Sequence, residues 1–84
     1  MSYAVSIRRS AQKELQSIPS PFHENITEKV LSLGSTPRPP GCKILRGSDK
    51  WRIRIGNYRL IYEIDDGAKA VIVIKIAHRS DVYR

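Results

Sequence analysis

The chain holds one cysteine, Cys42, so no internal disulfide can form and nothing marks an oxidising compartment. Cys42 follows Pro39-Pro40-Gly41 with no histidine or second cysteine nearby, which argues against metal ligation. No apolar run approaches the ~18 residues of a membrane span, and residues 1–10 lack the apolar stretch of a secretory signal. The expected location is therefore cytoplasmic, with no membrane partner. Acids are scarce as well, eight Asp/Glu against fifteen Lys/Arg. They are also scattered: Glu63 belongs to a strand end, Asp65 and Asp66 to a turn. A two-metal nuclease needs clustered carboxylates, which this chain does not offer. Gly-rich phosphate loops and HExxH-type metal sites are absent too. No metal and no cofactor are expected.

What the chain does have is positive charge. Its formal charge is +7 and its pI about 10.0, which favours an anionic partner. Residues 1–42 carry five Lys/Arg against three acids, and residues 43–84 carry ten against five. The excess lies in the second half, where the strands are expected. Eighty-four residues, 40% of them hydrophobic, suffice for one small globular domain spanning 1–84 and leave no room for a second core.

Tyr3, Val5 and Ile7 alternate with polar or small residues, the period of a half-buried strand. Ser10 is a candidate N-cap for a short helix carrying Ala11, Leu15 and Ile18 on one face. Pro19 stops it. Ser20-Pro21 restarts a helix with a capping residue and Pro at the first helical position. Phe22, Ile26, Val30 and Leu33 form its stripe, and Gly34 is a natural terminator. His23 lies off that stripe and is expected in solvent. Residues 35–41 read as a stiff loop, and residues 43–47 as a brief strand. Asp65-Asp66-Gly67 makes a turn. The β-branched run 70–76 suits a central strand buried on both faces, and residues 77–84 read as a turn. The expected architecture is β-α-α-β-β-β-β, an α+β fold with a mainly antiparallel sheet and an N-terminal helical hairpin on one face.

The most informative segment runs from Trp51 to Tyr62. Two alternating stretches flank Gly56-Asn57, a pair suited to the primed turn of a tight hairpin. A two-residue loop sets Ile55 opposite Tyr58, Arg54 opposite Arg59, Ile53 opposite Leu60, Arg52 opposite Ile61 and Trp51 opposite Tyr62. Trp51, Ile53, Ile55, Tyr58, Leu60 and Tyr62 then share the core face. Arg52, Arg54 and Arg59 share the other. Like charges directly opposed cost stability, roughly 1 kcal/mol in water and a few times that where partly shielded. An anion bound over them removes the cost, and the obvious polyanion is nucleic acid.

Metal-free RNA cleavage fits these residues. The 2′-hydroxyl can attack its own phosphate, so the protein must orient the backbone, stabilise the phosphorane and manage two protons. Guanidinium groups suit the first two tasks through charge and forked donors. Arginine makes a poor base. His78, near the end of the last strand, has the intrinsic range for proton transfer. Tyr83 can stack on a splayed base or hold the 2′-hydroxyl. Lys43, Arg46 and Lys50 are further cations beside the hairpin and are expected to contact RNA.

Residues 43–47 (Lys-Ile-Leu-Arg-Gly), 51–55 (Trp-Arg-Ile-Arg-Ile), 58–64 (Tyr-Arg-Leu-Ile-Tyr-Glu-Ile) and 78–83 (His-Arg-Ser-Asp-Val-Tyr) closely resemble the RelE branch of the RelE/ParE toxin superfamily. The resemblance implies the toxin of a type II toxin–antitoxin pair that enters the ribosomal A site and cuts mRNA by 2′-hydroxyl attack. It implies a RelB-like antitoxin, with the two proteins forming a hetero-oligomer. The family's basic strand pair matches Arg52 and Arg54, its next arginine Arg59, its Arg-Gly Arg46-Gly47, its last-strand arginine Arg79 and its terminal tyrosine Tyr83. The two strand positions are lysines in the best-known branch, one proposed there as the base. Histidine takes the proton in some relatives, which points to His78. The alternative is a ParE-like protein that inhibits DNA gyrase by binding, without catalysis.

Overall fold

The computed structural model describes residues 2–78. Strand β1 (Ala4–Ile7) leads into helices α1 (Arg9–Gln16) and α2 (Phe22–Ser32). Strands β2 (Lys43–Ile44), β3 (Lys50–Ile55), β4 (Tyr58–Asp65) and β5 (Ala70–His78) follow. They form one sheet in the order β1-β5-β4-β3-β2. Only the β1–β5 pair is parallel; the other three are antiparallel. The helices cover one face, and Ala11, Ile18, Ile26, Val30 and Leu33 pack there on Ile53, Leu60, Tyr62, Val71, Val73 and Ile76. No helix among the described residues is long and apolar enough to cross a membrane.

The hairpin register is the expected one in all five pairs, from Ile55 opposite Tyr58 to Trp51 opposite Tyr62. Gly56 takes φ +60°, the left-handed backbone a primed turn demands at its first position. Lys50 opposite Glu63 adds one further pair.

Several local expectations are corrected. Ser10 lies inside α1, and Arg8 occupies the cap position without a side-chain cap. The Gln12 side chain instead reaches back and donates to the Ile7 carbonyl at 2.8 Å. Pro21 is itself the cap residue of α2, and the Ser20 hydroxyl donates to the Glu24 carboxylate at 2.8 Å. Phe22 begins the apolar stripe yet stays 37% exposed, packed against the Tyr58 ring at 5.6 Å. His23 is half-buried rather than solvated, its Nδ1 donating to the Leu15 carbonyl at 3.0 Å and tying the helices together. Gly34 ends nothing by a left-handed turn; the helix closes at Leu33 in right-handed geometry. Glycine at position 34 allows a close approach: a β-carbon there would sit a tight 3.1 Å from the Tyr3 carbonyl, while Tyr3 N–H donates to the Gly34 carbonyl.

Strand β2 is only two residues long, because the chain turns at Arg46-Gly47 where Gly47 has φ +76°. Strand β5 is longer than expected, with Ala77 and His78 in the ladder rather than in a turn. It does lie between two strands, but only one face is fully covered. Val71, Val73 and Ile76 are buried under the helices, while Ile72 and Ile74 are half-buried on a strand whose Lys75 is exposed. A bulge interrupts the alternation along β5. Ile61 pairs with Lys75 and Tyr62 with Val73, so Ile74 has no partner on β4 and the alternation slips by one residue. Beyond the end of β1, Glu14 of α1 accepts from the Ile76 N–H at 2.9 Å and from Lys75 Nζ at 3.0 Å, closing the exposed edge of β5.

The opposite end of the sheet is held by a polar network. Arg38 makes a forked contact to Asp66, at 2.8 and 3.2 Å, and lies over the Trp51 ring at 5.2 Å. The Tyr3 hydroxyl donates to the same carboxylate at 2.7 Å. Tyr62, fully buried, donates to the Pro37 carbonyl at 2.8 Å. The proline-rich loop is thus tied to β1, β3, β4 and the β4–β5 turn. Donation from Arg38 first, then Tyr3, holds the Asp66 carboxyl down at about 2, from an ordinary 3.8. A carboxyl depressed by folding stabilises fully above its unfolded pKa and loses that contribution as pH falls through 4 towards 2. Asp66→Asn is expected to be less stable than wild type at pH 7 and equal to it near pH 2. Chemical denaturation across that range measures the convergence; a gap that persists at the acid end contradicts it.

Candidate nucleic-acid interface

The face of the sheet away from the helices carries the cations. Alternation along β3 puts Lys50, Arg52 and Arg54 there, and alternation along β4 puts Arg59, Ile61 and Glu63 beside them. Strand β2 adds Lys43 directly opposite Arg52. Gly41, Lys43, Arg52, Arg54 and Arg59 line one cavity of about 250 Å³. Gly41 has φ +93° and nothing within 4 Å of the position a β-carbon would take. It closes the proline-rich loop at the rim and leaves the cavity mouth open.

Burial grades the four cations. Arg59 is 3% exposed, Arg52 is half-buried, and Arg54 and Lys43 are exposed. Arg59 shares the face of Arg52 and Arg54 as expected but is buried there, on a central strand between Arg54 of β3 and Ala77 of β5. Among the described residues, the ion pairs join Arg38 to Asp66, Lys50 to Asp49 and Glu63, and Lys75 to Glu14; none includes Lys43, Arg52 or Arg54. No carboxylate of the described residues lines the cavity. A cavity walled by one sign of charge concentrates field and attracts anions. Forked N–H donors on two adjacent strands match the oxygens of a phosphodiester.

The other expected site residues fall in different places. Lys50 is on the same face but its amine is matched by Glu63 at 3.5 Å and Asp49 at 3.9 Å. Arg46 is exposed in the β2–β3 turn, outside the cavity lining. His78 pairs with Tyr58, whose ring packs on Phe22 of α2, so the imidazole lies on the helix side of the sheet. Its ring meets Tyr58 edge-on at 5.4 Å. The structure therefore separates His78 from the arginine cavity: it lines a second cavity, with Glu14, Ser17, Tyr58 and Lys75. Arg79 and Tyr83 lie outside the described residues. Gly41 was missed as a site residue; Pro-Pro-Gly marks a rigid turn in sequence but not what the turn overhangs.

The profile of the family described as ParE toxin of the type II toxin–antitoxin system parDE matches residues 5–83, and the chain belongs to that family. Within it the chain is RelE-like. It is 31% identical to toxin RelG of Mycobacterium tuberculosis, over 100% of this chain and 99% of that one. It is 29% identical to the mRNA interferase toxin RelE of Escherichia coli, over 99% of this chain and 92% of that one. The fold superposes on the archaeal RelE–RelB complex from Pyrococcus horikoshii with a TM-score of 0.85 and 30% identity, covering 94% of this chain and 97% of that chain.

Arg54 directly opposes Arg59 across the hairpin, so relieving the repulsion is expected to stabilise the fold. Arg54→Thr should raise stability by about 0.2–1 kcal/mol at low ionic strength, and weaken RNA binding. Urea denaturation and a filter-binding titration read the two effects, and a less stable variant would contradict the electrostatic account.

Proposed function

We propose that this chain is a ribosome-dependent mRNA endoribonuclease: a toxin that arrests translation by cutting messages in the ribosomal A site. The observation that carries this reading is the convergence of Lys43, Arg52, Arg54 and Arg59 on one cavity. Four cations repel a divalent metal and attract a backbone phosphate, which favours the route in which RNA supplies its own nucleophile. Arg52 and Arg54, on a rigid strand, bind the non-bridging oxygens and fix the phosphate for in-line attack. Arg59, buried and held between neighbours, aims its charge at the phosphorane, where two negative charges develop as the 2′-oxygen adds. Preorganised donors of this kind lower a barrier by ~3–4 kcal/mol each. Binding energy from the rest of the message, held by the ribosome, orients the scissile phosphate over the cavity.

The E. coli relative's name, an mRNA interferase, supports the reaction class. The neighbouring structures include RelE toxins in complex with RelB, which supports a RelB-like antitoxin as partner and a hetero-oligomeric resting state. An acidic antitoxin segment over Arg52, Arg54 and Arg59 would silence the cavity by the same charge complementarity that draws RNA. A substrate on the ribosome places the protein in the cytoplasm.

The test is expression followed by mapping of mRNA ends. Wild type should give cuts at ribosome-occupied codons, and Arg52→Gln should lower single-turnover cleavage by about 10²–10³-fold. Binding to free RNA should weaken with salt in proportion to the phosphates neutralised. Intact messages with stalled replication and linearised chromosome would instead indicate the gyrase-directed activity of a ParE-like toxin.

A further inference from the structure

Guanidinium groups leave one requirement of the reaction unmet. The 2′-hydroxyl must lose its proton as it attacks, and arginine holds its own proton throughout the range in which proteins stay folded. Arg52, Arg54 and Arg59 can therefore bind and polarise the phosphate but cannot accept a proton. His78 faces the helix side, beside Tyr58. Glu63, the carboxylate nearest along β4, is turned to Lys50 at 3.5 Å and does not line the cavity. Among the described lining residues that leaves one group with a removable proton, the amine of Lys43.

Its position suits the task. Lys43 stands across from Arg52 in the β2–β3 ladder, exposed on the edge strand and on the cavity wall shared with Arg54 and Arg59. Its long flexible stem lets the amine reach over a phosphate seated on the arginines, from the side where Gly41 leaves the rim open. Among the described residues, the charged groups facing it are Arg52 and Arg54 of β3 and Arg59 of β4. A lysine amine is a compact base once neutral, a role that guanidinium cannot take.

We propose that Lys43, in its uncharged form, accepts the 2′-hydroxyl proton during cleavage. This rests on the nuclease reading above. The 2′-oxygen gives its proton to Nζ, and its electron pair forms the new bond to phosphorus. The bond from phosphorus to the 5′-oxygen breaks, and that oxygen leaves with the electron pair and is protonated from water. The Lys43 ammonium then gives its proton to the hydroxide so formed. The products are a 2′,3′-cyclic phosphate and a 5′-hydroxyl, with the amine restored.

Single-turnover cleavage of ribosome-bound message, followed from about pH 6 to 9.5 for wild type, Lys43→Arg and Lys43→Met, tests this. Wild type should cut faster as pH rises, as general-base catalysis requires. Lys43→Arg keeps the charge, so it should still bind message and ribosome while its rate falls by about 10²–10⁴-fold and its rise with pH disappears. Lys43→Met should lose both rate and affinity. The exposed position on a two-residue strand predicts unchanged thermal melts for both variants. If wild type cuts and Lys43→Arg cuts within about threefold of it with the same pH slope, the Lys43 assignment alone is overturned. If wild type leaves the message intact, the nuclease reading falls and this assignment with it.

Discussion

The register of the β3–β4 hairpin governs nearly every other feature of this protein. Side chains alternate with a period of two, so a slip of one residue would carry Ile53, Leu60 and Tyr62 to the open face and drive Arg52 and Arg54 into the core. Two independent constraints forbid it. Gly56 supplies the left-handed backbone of a two-residue loop, which fixes the count of residues between partners. The apolar set of both strands gains its burial only in this register, at roughly 1.5–3 kcal/mol for each large side chain covered. The same alternation that builds the core therefore lines up the cations, and the fold tolerates an opposed Arg54–Arg59 pair because the hydrophobic face outweighs it.

Two devices then shape the open face. The bulge at Ile74 returns Ile76 to the helix side, where it meets Leu60. At the other end, the Arg38–Asp66–Tyr3 network and the Tyr62–Pro37 bond fasten the proline-rich loop to the sheet. That loop ends at Gly41, so the rim of the arginine cavity is positioned by contacts at the opposite end of the hairpin. Three of the eight acids are paired away from the arginine cavity. Asp66, Glu63 and Glu14 each neutralise a cation outside the cavity.

Cationic cavity and family membership support each other without resting on the same data. The profile match and the relatives speak for a type II toxin. The residues lining the cavity speak for phosphodiester chemistry. Arginines at 52 and 54 strengthen phosphate binding through forked donors, and shift the demand for a proton acceptor onto a different side chain. Lys43 meets that demand from the neighbouring strand.

The sequence by itself determined the element order, the hairpin register and the sharing of one face by Arg52, Arg54 and Arg59, because each follows from local periodicity and one turn. It located the helix stripes for the same reason. Caps and glycine roles were less legible: Ser10 and Gly34 carry familiar local signals, but contacts with Ile7 and Tyr3 decided their settings. Only the tertiary structure decided that β1 runs parallel beside β5, that Arg59 is buried, that Lys50 is matched by Glu63, and that His78 lies on the helix side of the sheet. The physical reason is the bulge and the strand order. Both depend on contacts between residues far apart in the chain, and one unpaired residue in β5 changes which face every later side chain meets.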